Sequence, residues 1–343
     1  MATTKRSDQA AAFSPALTGA VDGSAVSLVH NVLRAREVSC ATIGSAFLER
    51  LGVSVTAPLA QALLKICADA DQSGRANAYH NPAHSREVGV NWFCLAFLHN
   101  ALSGHSSGFG LLGASDIVVG LCAAFGHDLD HDGRGNTENG GFYRPFWLEA
   151  RAAEQVASWM EAAGASAEEV AGVRCAILLT DPLSGYPMLE ASLKPSFDIE
   201  QAVSVRPEFA HLADPAVRLI SAMLRDADLM PSAAMAAHDH DARTREMLIE
   251  QGRDGAAPDR ASTDAFLSGL VGGLFLSPPG ARFQGDLDHL KTLNAARGHR
   301  PGSLAPGEPA GGDDITNATA AALISALGLD MVISEASPQP ISS

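Results

Sequence analysis

From about residue 24 onward, apolar positions recur at helical spacing, and no stretch shows the strict alternation of a half-buried strand. Several helix starts are marked by caps. Asn81-Pro82 sets a capping amide ahead of a proline at the first helical position, and the apolar run Trp92, Phe93, Leu95 and Phe97 follows. Ser115-Asp116 opens a second helix through Ile117, Val118, Leu121 and Phe125. Pro145 precedes a third, carrying Trp147, Leu148, Val156 and Trp159. Ser166 and Glu169 have capping-box spacing and lead into Val170–Leu179. Asp214-Pro215 repeats the cap-then-proline signal and leads to Leu224. Residues 263–276 form a further apolar helix candidate, loosened by Gly269, Gly272 and Gly273.

The ends read differently. Residues 1–22 are rich in Ala, Ser, Thr and Gly and are expected to be a disordered lead. Residues 23–295 are expected to form one helical domain. Residues 296–343 are expected to be a Gly/Pro-rich linker and a loosely ordered tail with one short helix around Ile315–Leu327. The expected fold is all-α, a multi-helix bundle around a single core.

Composition narrows the partners. Apolar residues make up 46% of the 343, aromatics only 6%, and alanine, the best helix former, is abundant. The formal net charge of −15 argues against a surface built to grip nucleic acid or an anionic membrane. It leaves room for a small phosphate ligand, because a bound metal ion would be the largest local charge. Cys40, Cys67, Cys94, Cys122 and Cys175 are odd in number and form no CxxC pair, which speaks against a disulfide framework or a thiolate zinc site and fits a reducing cytoplasm. No apolar run reaches the roughly 18 residues a membrane span needs. The expectation is a cytoplasmic protein with neither nucleic acid nor membrane as partner; a homodimer is left open.

Chemistry concentrates in two histidine-rich stretches, Tyr79-His80-Asn81-Pro82-Ala83-His84 and His127-Asp128-Leu129-Asp130-His131. Each falls at an expected helix end, and helix ends that meet at one mouth of a bundle can pool their side chains. Imidazole suits zinc and other late divalent ions, while carboxylate suits magnesium and manganese. Lone histidines in a helix are usually structural; clustering of this kind points instead to a metal site. Asp228, in Arg225-Asp226-Ala227-Asp228-Leu229, reads equally well as a surface cap and as a ligand.

Tyr79-His80-Asn81-x-x-His84, followed by Glu87-Val88, resembles the opening motif of the class I 3′,5′-cyclic nucleotide phosphodiesterases of the HD superfamily. His127-Asp128-x-x-His131-x-Gly133-x-x-Asn136 is similar to that family's second motif, and Leu148-Glu149, Thr180-Asp181, Ala227-Asp228-Leu229 and Phe266 follow in the family's order. The resemblance covers roughly residues 60–285. It implies a bundle of about sixteen helices around one metal pocket. It implies two divalent ions, zinc at a first site held by His84, His127, Asp128 and Asp228, and magnesium or manganese at a second bridged by Asp128. A bridging hydroxide would attack phosphorus, and His80 would protonate the leaving O3′. Glu149 would orient His80; His131, Glu149 and Thr180, with Asp181 beside it, would support the ions through water. Tyr79 and Asn136 would border the substrate, and Phe266 would clamp the base, although an aromatic in an apolar helix is more often core.

Departures accompany the resemblance. Glu87 replaces an aspartate, and Ala150-Arg151-Ala152 stands where the family has a pair of histidines. Thr263 occupies the position of the glutamine that holds the purine edge, and a hydroxyl cannot match an amide's paired donor and acceptor. Gly185-Tyr186-Pro187 echoes a cyclic-dinucleotide hydrolase signature but lacks its preceding His-His-Glu run and reads as a turn. His238-Asp239-His240-Asp241 reads as an exposed polar loop bordering the pocket. Three functions remain in play: hydrolysis of cAMP or cGMP to the 5′-monophosphate, hydrolysis of another nucleotide or phosphoester by an HD-type enzyme, and a ligand-binding remnant without turnover.

Overall fold

The computed structural model describes residues 12–103, 109–137, 141–253, 260–270, 272–297 and 313–336. Among these the regular structure is helical, with no strand and one isolated bridge between Thr137 and Tyr143. The helices are α1 (Pro15–Ala20), α2 (Gly23–Ala35), α3 (Cys40–Leu51), α4 (Pro58–Ala70), α5 (Pro82–Ser103), α6 (Ala114–Gly126), α7 (Trp147–Ala163) and α8 (Ala167–Leu178). They continue with α9 (Gly185–Ser192), α10 (Ile199–Val205), α11 (Pro215–Ala233), α12 (Ala237–Glu250), α13 (Arg260–Asp264), α14 (Gln284–Arg297), α15 (Asp313–Ala326) and α16 (Asp330–Glu335). The expected all-α bundle is thus the fold. None of its described helices is long and apolar enough to cross a membrane.

The caps work as their chemistry requires. Asn81 Oδ1 accepts from the Ala83 and His84 amides at 2.9 and 3.3 Å, starting α5. Ser166 and Glu169 form the reciprocal capping box of α8. Asp214 accepts from the Ala216 amide at 2.8 Å to start α11. Helix α6 begins one residue earlier than expected, with the Gly113 amide bonded to Asp116 at 2.9 Å.

Helix α5 is the central rod; Val88, Trp92, Phe93, Leu95 and Phe97 are all fully buried, and each such side chain contributes roughly 1.5–3 kcal/mol through burial. It meets α6 through a reciprocal pair of glycines. A Cβ on Gly120 would stand 1.8 Å from the Trp92 ring, and one on Gly89 would stand 2.3 Å from the Phe125 ring. Each helix therefore seats an aromatic of the other in a notch, and the backbones close up. Helix α11 packs against α5, with Asn91 Nδ2 donating to Ala227 O at 3.1 Å and Asn91 Oδ1 at 2.8 Å from His30 Nε2. A buried Glu87 ties α2, α5 and α12 together: Arg34 bonds it at 2.6 Å and Arg243 stands at 3.8 Å. Burial pushes the Glu87 carboxyl up, but Arg243, His30 and Arg34 together hold it below its ordinary value.

Four expectations differ from the structure. The lead is packed from Phe13 onward: Phe13, Leu17 and Val21 recur every fourth residue and are buried, so this stripe outweighs the small polar background. Residues 1–11 lie outside the described part. In the tail, the short helix expected around Ile315–Leu327 is α15, and the difference is that it packs on α2, with Leu323, Leu327 and Leu329 buried; most of the Gly/Pro-rich stretch lies outside the described residues. The helix expected over 263–276 ends with a wide turn at Ala265–Leu270, because Gly272 and Gly273 adopt left-handed backbone at φ 65° and 73°. His238–Asp241 is not a loop but the first turn of α12, with Asp239, His240 and Asp241 buried.

Candidate metal centre and active site

The close approach of α5, α6 and α11 converges four side chains. His84 lies in the first turn of α5, His127 caps α6 with Asp128 next to it, and Asp228 projects from α11. His84 Nε2 is 3.3 Å from Asp128 Oδ2 and 3.1 Å from Asp228 Oδ1. His127 Nε2 is 3.2 and 3.5 Å from the same two oxygens. Neither Nε2 makes a hydrogen bond, although both are buried. For ligand bonds of 2.0–2.1 Å in a tetrahedral site, ligand atoms stand about 3.3 Å apart. His84, His127 and Asp228 hold one ligand atom each within 4.8 Å of the others, with Asp128 against both imidazoles, so this donor set fits a divalent cation, and the two unpartnered nitrogens make the fit specific.

The surroundings prepare these ligands. His127 Nδ1–H donates to Ala124 O at 2.9 Å, which places the lone pair on Nε2 and fixes the ring. Tyr186 Oη donates to Asp228 Oδ2 at 3.1 Å, leaving Oδ1 to face the histidines. The Tyr186 ring carries the Arg225 guanidinium 5.2 Å from its centre, and Arg225 bonds Leu274 O at 2.9 Å. Burial opposes every charge here, yet both carboxylates are held below their ordinary range by His127 and His84. The carboxylates reciprocate against the same burial: His127 is raised, and His84 is raised to about 9.

A second group stands beside the first. His80 Nδ1 bonds Glu250 Oε1, and Glu250 Oε2 accepts from the amides of Tyr79 and His80 at 2.8 and 2.9 Å. His131 stacks on His80 with ring centres 3.7 Å apart and planes 24° from parallel. One ligand atom from each of His80, His131 and Glu250 lies within 4.8 Å of the others, so this trio too could hold a cation. Burial, then the charge of His80, lowers His131 to about 4. His131 is neutral at pH 7, and its Nδ1 accepts from the Gly133 amide at 3.1 Å.

The remaining expected residues divide. A cavity of about 580 Å³ is lined by Tyr79, His80, Asn136, Glu149, Thr180 and Phe266, along with His127, Asp128, His131 and Asp228. Glu149 does not orient His80. Its carboxylate accepts instead from Asn136 Nδ2 at 2.8 Å, while the last residue of α12, Glu250, reaches the His80 turn. Burial, with the Asp181 charge adding, raises Glu149 to about 7 against the Asn136 bond. Thr180 turns its hydroxyl to Ile177 O at 2.7 Å. Asp181 is fully buried and not on the cavity wall. It accepts from Asn136 Nδ2 at 2.9 Å, Phe146 N at 2.7 Å and Ser184 N at 2.8 Å, pinning the loop that carries Asn136. Thr263 is buried, its hydroxyl without a hydrogen-bond partner, and it does not line the cavity. The wide turn after α13 brings Phe266 to the wall and keeps Thr263 inside.

Solved structures of similar fold include the phosphodiesterase domain of a RhoPDE fusion protein from the choanoflagellate Salpingoeca rosetta, 14% identical, covering 92% of this chain and 96% of that one with a TM-score of 0.46. A second structure, of the phosphodiesterase domain of Salpingoeca rosetta rhodopsin phosphodiesterase, is 15% identical and covers 84% of this chain and 95% of that one, with a TM-score of 0.48. No protein-family profile and no curated protein matches the chain.

Two residues of the site escape a reading of the sequence. Glu250 carries no local motif; it ends a helix whose sequence begins with a polar run. Tyr186 sits in Gly185-Tyr186-Pro187, and its partner Asp228 is 42 residues away. Only Glu250's place at the end of α12, on the helix that buries Arg243 and pairs it with the half-buried Glu246 at 2.7 Å, hints that this helix faces the interior.

Proposed function

We propose that this chain is a divalent-metal phosphodiesterase, a divergent class I 3′,5′-cyclic nucleotide phosphodiesterase domain that hydrolyses cAMP or cGMP to the 5′-monophosphate. The observation that carries the reading is the adjacency of two groups: His84, His127 and Asp228 gathered with unpartnered imidazole nitrogens and Asp128 beside them, and, with its ring centre 5.7 Å from that of His84, a histidine braced by a carboxylate. His84, His127, Asp128 and Asp228 would hold the first of two ions, zinc as the family resemblance implies, with Asp128 shared by a magnesium or manganese ion. Bound ions supply positive charge to a phosphate and lower the pKa of water.

The protein's own groups do the rest. Glu250 binds His80 through Nδ1, so Nε2 is the nitrogen that remains to meet the substrate. From Nε2 the imidazolium donates its proton to the departing O3′. Glu250 stabilises the cation before transfer and keeps the ring in one orientation. Tyr186 keeps Asp228 turned to the histidines. Glu149 and Asn136 form a polar wall, and Phe266 offers an aromatic face for a base. Attack and protonation then fall on opposite sides of phosphorus, as an in-line displacement requires.

A second reading, hydrolysis of a different phosphoester by the same groups, is favoured by one observation: Thr263 lies inside the protein, so the position that would read a purine edge is not on the cavity wall. Metal-reconstituted protein assayed against cAMP, cGMP, a cyclic dinucleotide and bis(p-nitrophenyl) phosphate tests both. Preference for cyclic mononucleotides supports the first; turnover of the generic diester without them supports the second. Bound metal with no turnover of any of the four rejects both and leaves a ligand-binding protein.

A further inference from the structure

A second cavity, of about 870 Å³, opens beyond His80. His80, His131 and Arg134 line both cavities, whereas His127, Asp128 and Asp228 line only the first. His80 thus stands on the boundary shared by the two spaces, and its Glu250 brace lines the second. In an in-line displacement the attacking and leaving oxygens stand on opposite sides of phosphorus. If attack comes from the cluster side and His80 protonates the leaving oxygen, whatever that oxygen carries is directed towards the second cavity. In a cyclic mononucleotide the leaving oxygen stays on the same ribose, so such a substrate does not reach into this space.

The walls have the chemistry of a nucleotide subsite. The Arg144 guanidinium lies 3.4 Å from the centre of the Trp147 ring, and both residues line the cavity. Trp147 opens α7 and is 37% exposed. Guanidinium planes and indole rings are the surfaces on which unstacked bases rest. Arg134, an exposed cation on the wall common to both cavities, is placed to meet a phosphate. A Cβ at Gly135 would meet no atom within 4 Å, so the backbone beside Arg134 is open to a ligand. Arg134 and Arg144 share this cavity with the carboxylates of Asp132 and Glu250, in a chain whose net charge is −15.

We propose that this second cavity binds the leaving-side nucleoside of a dinucleotide, so that the substrate class extends to 3′→5′-linked dinucleotides. The inference rests on the phosphodiesterase reading above. In the step it implies, the P–O3′ bond between the two nucleosides breaks and a P–O bond to water's oxygen forms. One product carries the 5′-phosphate, and the other leaves with its O3′ protonated by His80. The Arg144–Trp147 pair stacks the base of that second product.

The experiment compares kcat/KM for the linear dinucleotide pApA and for cAMP in the metal-reconstituted wild-type chain, Trp147→Ala and Arg144→Gln. Loss of one stacking surface lowers kcat/KM for pApA by roughly 5- to 100-fold and leaves that for cAMP within twofold. The Arg144→Gln variant keeps the test sound if Trp147→Ala does not fold. Wild-type turnover of cAMP without pApA overturns this inference alone, as does a parallel loss, or no loss, on the two substrates. If the wild type cleaves neither, and bis(p-nitrophenyl) phosphate also survives, the phosphodiesterase reading fails and takes this inference with it.

Discussion

Glu250 closes on the His80 turn through three donors: the His80 Nδ1–H and the amides of Tyr79 and His80 at 2.8 and 2.9 Å. Burial pushes the Glu250 carboxyl up, and these three contacts more than reverse it, holding the group at about 2. Glu250 is thus an anion throughout the physiological range. Replacement of His80 by Ala lowers turnover by roughly 10²- to 10⁴-fold, the range for loss of a general acid. Glu250→Gln keeps a hydrogen bond but removes the charge, and lowers it by roughly tenfold or more. Single-turnover rates alongside metal content check both; a rate that falls only in proportion to lost metal would refute the acid assignment.

Tyr186 and Asp228 make a second pair with a measurable consequence. Tyr186→Phe removes one hydroxyl and frees Asp228 Oδ2. Metal affinity drops by roughly 10- to 100-fold, as for other groups that orient ligands. Chelator competition, read by the visible spectrum of cobalt-substituted protein, measures this without any turnover. Unchanged affinity would mean that Asp228 is held by its helix alone.

Metal binding releases protons. In the metal-free chain burial works to lower His84, but the close carboxylates of Asp128 and Asp228 raise it to about 9. A proton must leave before a cation enters, so affinity rises as pH climbs towards 9. Titration calorimetry in buffers of differing ionisation heat reports the proton count; buffer-independent heats would contradict the prediction.

Glu149 gives stability an opposite pH dependence. Its pKa is raised by burial from 4.5 to about 7. The folded chain therefore holds this proton more tightly than the unfolded one. The contribution is fully present below pH 4.5 and is lost as pH rises through 7, a loss of up to about 3 kcal/mol. Glu149→Gln, without metal, should be more stable than wild type at pH 8 and no more stable at pH 5. Urea melts at the two pH values decide it.

The glycine notches between α5 and α6 place His84 beside His127. Gly120→Ala would set a Cβ 1.8 Å from the Trp92 ring, and overpacking of this kind costs typically 1–3 kcal/mol. Because the helices must part, metal affinity should fall with stability. Melting temperature and metal titration of the same variant test the pairing; a destabilised variant with wild-type affinity would break the link.

Much of the architecture is legible locally. Asn81-Pro82, Ser166 with Glu169 and Asp214-Pro215 each satisfy orphan backbone amides within a turn of their own helix, so neighbours in sequence suffice to mark α5, α8 and α11. The two histidine stretches are legible for the same reason: His80, His84, His127 and Asp128 advertise a metal site by density alone. Asp228, alone on α11, becomes a candidate ligand through its 3.1 Å approach to His84 Nε2. The packing of the Phe13, Leu17 and Val21 stripe hides in a polar background, because a stripe becomes core only when another surface covers it.

The sequence by itself determined the capped starts of α5, α8 and α11 and the two clusters of metal-ligating residue types, since those depend on residues a few positions apart. Tertiary structure alone decided that Glu250 rather than Glu149 braces His80, that Tyr186 steadies Asp228, and that Thr263 turns inward while Phe266 reaches the cavity. Each of those choices joins side chains from different helices or turns on a glycine-released bend, and hydrogen bonds between groups tens to more than a hundred residues apart leave no spacing in the chain to read.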